Sequence, residues 1–535
     1  LGTAICDPLF YLLNNYTHQN LKNQDYFQKS FYFHNFLDFY LPFPYNSRYM
    51  KLTQEQNDII GIELAENETF LIQAYAGAAK TTTLVEYAKA RPNVDFLYLA
   101  FNKSVADEAV LKFPPNVTCK TTHSLAFRYI GWKYKNKIEN LRSYHLMRGD
   151  LDIFDRSEAN YLIECVRRWC YSIDDKISNR HLVKNDTILT PKKVILQKLK
   201  KIWKEMCDIE SGVPMSHDGY LKLYQLSKPE LKCDILLVDE SQDTNICTLD
   251  IFLNHKGRKI MVGDANQAIY HWRGAHNAIQ KCNPDREKFL TTSFRFGKNI
   301  AAIANILLFN YKNVEKPLLG FRETDKVTDF IGYEPHTVIS RTNGTLFEKA
   351  MSVIECGKKV HFLGSDSGYN AFLDTIKDVY YLYADKKDKI KDTYIASFTN
   401  YYDFKEAVFD KISPDVELQS RVRVVDKYRG EIFNILNEIK ANTVGRDRAD
   451  IILSTAHKSK GAEFDRVALA NDFVSLVKDG KLNTRLNGAE VNLLYVAATR
   501  AKHVLQINDQ IREILEILDG KENVDNFLDN NLAFA

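Results

Sequence analysis

Residues 74–81 read Ala-Tyr-Ala-Gly-Ala-Ala-Lys-Thr and directly follow the apolar run Thr69–Gln73. A short buried strand, a small-residue turn and Lys-Thr opening a helix is how a chain aims backbone N–H groups at a triphosphate. No other feature constrains the fold as much, because it requires strand, loop and helix in that order. Ala76, Gly77, Ala78 and Ala79 would line the loop and Lys80 would reach the β- and γ-phosphates. The Thr81 hydroxyl would ligate Mg²⁺, with Thr82 beside it. Two positions break the glycine pattern: Ala74 opens the loop, and Ala79 stands where glycine normally precedes the lysine. A negative φ at Ala79 makes its methyl nearly free, whereas a positive φ carries strain above about 1 kcal/mol and weakens nucleotide binding.

A chain of 535 residues has room for roughly three or four domains of ~150 residues. At 45% hydrophobic and 26% charged it can build packed cores. The longest apolar runs, such as Ile235–Val238 and Ala301–Phe309, are too short or interrupted to span a bilayer. Leu9–Leu13 is too brief, and lacks the basic flank, for a secretory leader. The nine cysteines are scattered, with Cys165 and Cys170 the closest pair, so reduced structural thiols are expected rather than a metal or disulfide framework. A net charge of only +3 means that any polyanion site is a local groove.

A βα rhythm starts near residue 69. Phe96–Phe101 reads as a strand before the helical Ser104–Phe113, and Val117–Lys120 as a strand before a short helix at Ser124–Ile130. Asp234–Val238 and Lys259–Gly263 are further strands, each ending in acidic residues. From about 131 to 230 the pattern turns helical, most clearly in Pro191–Asp208, where an apolar stripe sits opposite a run of lysines. That run reads as a solvated face or as a nucleic-acid-facing one. A second βα series follows residue 290, with strands at Thr337–Ser340, Ile451–Ser454, Val467–Ala470 and His503–Ile507 and a helix at Glu490–Thr499. The fold class expected is α/β, with two parallel-sheet domains, each interrupted by a mainly helical insertion. The expected boundaries are 51–130 with 231–290 for the first sheet domain and 131–230 for its insertion. The second takes 291–364 with 446–535, and its insertion 365–445; residues 1–50 carry no readable role.

Asp239-Glu240 follows the strand Ile235–Val238. An acidic pair at a strand's end, downstream of a phosphate loop, suits Mg²⁺ coordination by Asp239 and activation of the attacking water by Glu240. The string from Gly263 to Ala275 joins an amide able to contact the γ-phosphate, Gln267, to a stacking ring, Trp272, with Arg273 beside it.

Together these strings resemble superfamily 1 DNA helicases of the UvrD/Rep class, and within it the F-box DNA helicase branch, from about residue 50 to 510. Leu52-Thr53-Gln54-Glu55-Gln56 is similar to the adenine-reading motif, with Gln56 the base contact. Ala100-Phe101-Asn102-Lys103 and Thr121-Thr122-His123-Ser124 are similar to two strand-contacting motifs, and His217–Leu223, Thr292–Gly297 and Ser340-Arg341-Thr342-Asn343 match in order. Ser454–Asp465, Leu494–Lys502 and, in the second insertion, Val424–Tyr428 complete the set, and no F-box pattern is readable in residues 1–50.

The resemblance implies two RecA-like domains that close over ATP and Mg²⁺, with Arg295 and Arg500 meeting the γ-phosphate, Phe294 covering adenine and Glu463 accepting from ribose. It implies single-stranded DNA and single-strand/duplex junctions as partners, 3′→5′ travel, and contacts from Phe101, Asn102, His123, Trp272, Arg273, Arg341, Asn343 and His457. A monomer is expected, intracellular, in the cytoplasm of a prokaryote or virus-infected cell or the nucleus of a eukaryote, with protein partners in repair or defence. Ala79 leaves a second reading open, a nucleotide-impaired DNA-binding scaffold. A third is a translocase that strips proteins from single strands.

Overall fold

The computed structural model describes residues 51–530 apart from 184–189, 271–278, 280–281, 365–369, 410–415 and 486–487. The chain divides into two compact units, one ending at Leu290 and one taking up at Thr291.

The N-terminal unit holds strands β1 (Thr69–Ala74), β2 (Phe96–Ala100), β3 (Val117–Thr121), β4 (Ile235–Val238), β5 (Arg258–Gly263) and β6 (Arg286–Leu290). They form one parallel sheet in the order β3-β2-β4-β5-β1-β6. The central strands are apolar on both faces because helices cover both sides. Alternate residues divide cleanly. Phe70, Ile72, Phe96, Tyr98, Ile235, Leu237 and Ile260 pack against helices α1 (Gln54–Ile60), α2 (Lys80–Lys89) and α3 (Lys103–Lys112). Leu71, Leu97, Leu99, Leu236, Val238 and Met261 face the other way, joining helices α4 (Thr122–Tyr129), α5 (Arg156–Cys170), α6 (Lys192–Cys207) and α7 (His217–Leu226) in a second cluster. The helical stretch between β3 and β4 thus shares its core with the sheet. In α6, Ile195, Leu199, Ile202 and Met206 are buried as the stripe requires. Lys198 is held by Glu158 at 2.9 Å and Lys201 by the Asp150 carbonyl, so part of the lysine run serves the fold.

The C-terminal unit opens with a parallel pair, β7 (Thr292–Gly297) and β8 (Leu319–Arg322), flanking helix α8 (Lys298–Tyr311). Its main sheet is again six parallel strands: β9 (Lys326–Thr328), β10 (His336–Ser340), β11 (Val360–Phe362), β12 (Ile451–Thr455), β13 (Phe464–Leu469) and β16 (Ala501–Gln506), ordered β11-β12-β10-β13-β16-β9. The hairpin β14 (Val477–Lys478) and β15 (Lys481–Leu482) turns through Asp479 and Gly480, both at positive φ. Sheet residues Val338 and Leu453 share a cluster with helices α9 (Asn343–Glu355), α10 (Asn370–Tyr383), α11 (Val416–Tyr428) and α12 (Ile432–Asn442). Among the described residues no helix is long and apolar enough to cross a membrane.

The α/β class with two parallel sheets is as expected. β6, β9 and β11 are strands the sequence reading lacks. β6 begins Arg-Glu-Lys on an exposed edge, and the other two are three residues each.

Candidate nucleotide site and nucleic-acid face

In the N-terminal unit the phosphate loop leaves the carboxyl end of β1, where strand register brings neighbouring ends alongside. Gln73 lies opposite Gly263, and Val238 opposite Met261, so Asp239 and Asp264 emerge near the loop. Ala79 caps α2 with φ +54° and ψ +40°, the left-handed conformation glycine would take, and Gly77 is at φ +75°. For alanine this conformation costs roughly 1–2 kcal/mol. The strain is held from the far side. The Ala79 carbonyl accepts from Thr83 N at 3.0 Å and Thr83 Oγ1 at 3.1 Å. Thr83 Oγ1 in turn accepts from Gln56 Nε2 at 3.0 Å.

Gln56 is therefore placed differently from an open base reader. It is 2% exposed, and its Oε1 accepts from Thr53 N at 3.0 Å in the capping box that starts α1. Its amide links that cap to the phosphate loop.

Lys80 Nζ lies 3.1 Å from Glu240 Oε1. Burial alone would lower the Lys80 pKa, but the Glu240, Asp239 and Asp264 carboxylates raise it, so the ammonium stays charged. Asp239 is pushed up by burial and by the Glu240 charge, against the pull of Lys80. Asp239 Oδ2 accepts from Thr81 Oγ1 at 3.1 Å and from Tyr98 Oη at 2.8 Å, while its Oδ1 accepts from Glu240 N at 2.8 Å. A hydroxyl and a carboxylate this close, in a buried site with excess negative charge, fit a magnesium ion that brings phosphate oxygens and water as its other ligands.

Glu240 itself sits at φ +49°, a second strained residue at the site. Two residues absent from the sequence-based set complete the network. Gln242 donates to Glu240 Oε2 and accepts at Oε1 from Asp264 N at 3.0 Å. Asp264 Oδ2 accepts from Gln267 Nε2 at 2.7 Å, which holds Gln267 buried at 4% exposure. Gly263 makes this crossing possible, since a Cβ there would stand 2.4 Å from Gln242 Oε1.

The other edge of the same sheet presents the first nucleic-acid candidates. Ala100 pairs with Thr121, so Phe101 and His123 leave adjacent strand ends. Phe101, 38% exposed, stacks on Tyr270 with centroids 6.0 Å apart and planes 12° apart. Asn102 caps α3, accepting from Val105 N at 2.9 Å. His123 Nε2 is 3.5 Å from Asp218 Oδ1, and Asp218 Oδ2 accepts from Tyr171 Oη at 3.0 Å. Burial would raise the Asp218 pKa, but the bonds from His123 and Tyr171 hold it below its usual value. Trp272 and Arg273 lie outside the described residues.

In the C-terminal unit, Arg295, Glu463 and Arg500 converge. Arg295 Nη2 and Nε lie 2.8 and 2.9 Å from Glu463 Oε1, and Nη1 donates to the Thr499 carbonyl at 2.8 Å. Arg500 is 1% exposed, with Nε donating to the Val496 carbonyl at 2.9 Å and Nη1 to that of Ala462 at 3.4 Å. Burial would raise the Glu463 pKa, but Arg295 and Arg500 keep it low. Phe294 packs on Phe321, centroids 5.0 Å apart and tilted by 50°.

Ser340 pairs with Thr455, so Arg341, Asn343 and His457 follow adjacent strand ends. Arg341 is held bidentately by Glu490, Nε and Nη2 each at 3.0 Å, and Asp472 anchors the backbone N–H groups of Arg341 and Thr342 at 2.8 and 2.9 Å. Asn343 begins α9, and His457 is half-buried in the short helix Ala456–Ser459. Glu490 and Asp472 carry no local sequence signal, because each acts across more than a hundred residues.

The chain is similar in sequence to known proteins. Residues 224–285 match the UvrD/REP helicase N-terminal domain family. The chain is 34% identical over 515 residues to the F-box DNA helicase 1 of Gallus gallus, covering 88% of this chain and 50% of that protein. It is 32% identical to the F-box DNA helicase protein 1 of Schizosaccharomyces pombe, covering 89% and 60%, and 26% identical to the DNA helicase II of Haemophilus influenzae, covering 48% and 39%. The chain thus spans half to three-fifths of the length of its F-box helicase relatives. With a βα phosphate loop, an acidic pair and a bridging glutamine at one sheet end, and these relatives along most of its length, the chain belongs to the UvrD/REP helicase family.

Proposed function

We propose that this chain is an ATP-dependent motor on single-stranded DNA that travels 3′→5′ and separates strands in repair or recombination. The observation that carries the reading is the Lys80–Glu240 and Thr81–Asp239 pairing beside an Ala79 already in the left-handed conformation. The hydrogen bonds that the Ala79 carbonyl accepts from Thr83 hold the loop in this conformation from within the fold. Lys80 and the loop N–H groups bind the phosphates, Glu240 takes the proton of the attacking water, and Gln242 and Asp264 keep Glu240 and Gln267 in register. Mg²⁺, held by Thr81 and Asp239, would supply charge neutralisation at the phosphates. Arg295 and Arg500 are the arginines expected to stabilise the transferring phosphoryl group. Phe101 with its Tyr270 partner, and His123 as oriented by Asp218, are the proposed strand contacts. Relatives named as DNA helicases support this reading.

Strand separation on duplexes bearing a 3′ or a 5′ tail, with Glu240→Gln in parallel, tests it. Unwinding from the 3′ tail alone, and loss of roughly 10²- to 10⁴-fold in turnover with ATP binding retained, is expected for Glu240→Gln. Equal unwinding from both tails rejects the polarity, and unchanged turnover rejects the role of Glu240.

Ala79 favours a second reading. Alanine at φ +54° is a departure that a nucleotide-impaired scaffold would tolerate, and in that case DNA binding persists without turnover.

A further inference from the structure

The segment from β3 through the turn after α4 carries a charge and ring pattern that no residue assigned above explains. From Val117 to Ile138 the chain has no Asp or Glu, while Lys120, Arg128, Lys133, Lys135 and Lys137 all fall within it. Lys137 is occupied by the carbonyls of Glu205 and Asp208. Arg128, Lys133 and Lys135 are exposed and make no ion pair with any described residue. Between them stand three exposed rings, Phe127 at 39%, Tyr129 at 56% and Trp132 at 53%. A solvated helix face mixes charge signs and carries few rings; this one does neither.

Two of the rings are held in place. Tyr129 lies nearly parallel to the buried Tyr224, with centroids 5.6 Å and planes 16° apart, so one face is covered by the core while the residue stays largely open to solvent. Phe127 packs edge-on to the buried Tyr220 at 6.0 Å, and His123, one turn earlier on α4, meets the same Tyr220 ring at 6.3 Å. Gly131 closes the arrangement. A Cβ there would stand 3.0 Å from a Phe127 ring carbon and 3.1 Å from Tyr220, so glycine lets the turn carrying Trp132, Lys133 and Lys135 press against α4 without displacing those rings. Rings fixed in this way lose little freedom when a base stacks on them.

We propose that Phe127, Tyr129 and Trp132, with Arg128, Lys133 and Lys135, form a second contact patch for single-stranded nucleic acid on the helical part of the N-terminal unit. The rings take bases and the cations take phosphates, with no sequence readout. A strand touching His123 continues along α4 onto this patch, because His123 and Phe127 share a helix face and a packing partner. The proposal rests on the reading of the chain as a DNA-acting protein.

The full chain, without nucleotide, is titrated with fluorescent oligothymidines of increasing length over a range of salt. Tyr129→Ala/Trp132→Ala is expected to weaken binding of long oligomers by roughly five- to a hundred-fold, leaving short ones less affected, while Tyr129→Phe binds as the wild type does. Lys133→Gln/Lys135→Gln is expected to reduce the salt slope by roughly 0.7 for each phosphate that is no longer neutralised. These lysines make no ion pair with any described residue, so that variant keeps its fold and a thermal melt confirms it. If the wild type binds and both variants match it in affinity and slope, the patch is rejected and the motor reading stands. If the wild type binds no oligothymidine at any length, both fail together.

Discussion

At the scale of single residues, Ala79 and Glu240 decide what the nucleotide site can do. Both hold positive φ, at +54° and +49°, Ala79 next to Lys80 and Glu240 as its ion-pair partner. Replacing Ala79 by glycine removes a left-handed penalty of roughly 1–2 kcal/mol but restores about 0.5–1 kcal/mol of unfolded-chain entropy. Ala79→Gly is therefore expected to raise the thermal midpoint only slightly and to leave the ATP Kd within about threefold, measured by melting and nucleotide titration. A tenfold gain in affinity would mean that the methyl obstructs the phosphates. Thr83→Val tests the tether from behind. It deletes the hydroxyl that joins Gln56 to the Ala79 carbonyl and leaves the buried Gln56 amide short of a partner. A loss of about 1–3 kcal/mol in chemical denaturation is expected; an unchanged midpoint would show that the tether contributes nothing.

At the scale of elements, the ends of the parallel strands assemble the site, and Gly263 at the end of β5 is the most exposed to test. Gly263→Ala puts a methyl where Gln242 Oε1 and Ser241 Oγ now sit, 2.4 and 2.5 Å away. It should cost about 1–3 kcal/mol of stability and lower turnover by displacing Gln242 from Glu240, read together by melting and ATP hydrolysis. Full turnover in that variant would remove Gln242 from the mechanism. The central strands and the candidate residues at their ends were legible in the sequence because β1, β4 and β5 are apolar runs followed by a loop to Lys-Thr, by Asp-Glu and by Asp-x-x-Gln, and β2 is an apolar run followed by Phe-Asn-Lys. β6 was not, since its Arg-Glu-Lys start reads as surface and only pairing to β1 makes it a strand. Pairings across long sequence distance were not: Asp218 sits in a readable string, but its contact with His123 leaves no pattern in it, and Glu490, the partner of Arg341, has no local signal at all. Gln56 shows the converse: its motif was readable, but its burial between Thr53 and Thr83 was not.

At the scale of the whole molecule, both units repeat one plan, a six-stranded parallel sheet whose helical insertion shares the sheet's own core. Three histidines give the N-terminal unit an acid sensitivity. Burial lowers the pKa of His145, His181 and His255 below the ordinary value of 6.5, so the folded unit holds them neutral while the unfolded chain takes up protons first. Their contribution should be full above 6.5 and fall as pH drops through it, visible as a lower melting midpoint at about pH 5.5 than at about pH 7.5. A midpoint independent of pH across that window would contradict the burial of these rings. The coupling of nucleotide to DNA is the larger claim, and steady-state ATP hydrolysis with and without single-stranded DNA tests it most directly. Hydrolysis should be stimulated by single-stranded DNA and abolished by Lys80→Ala. Background hydrolysis in both conditions, restored by Ala79→Gly, would contradict that claim.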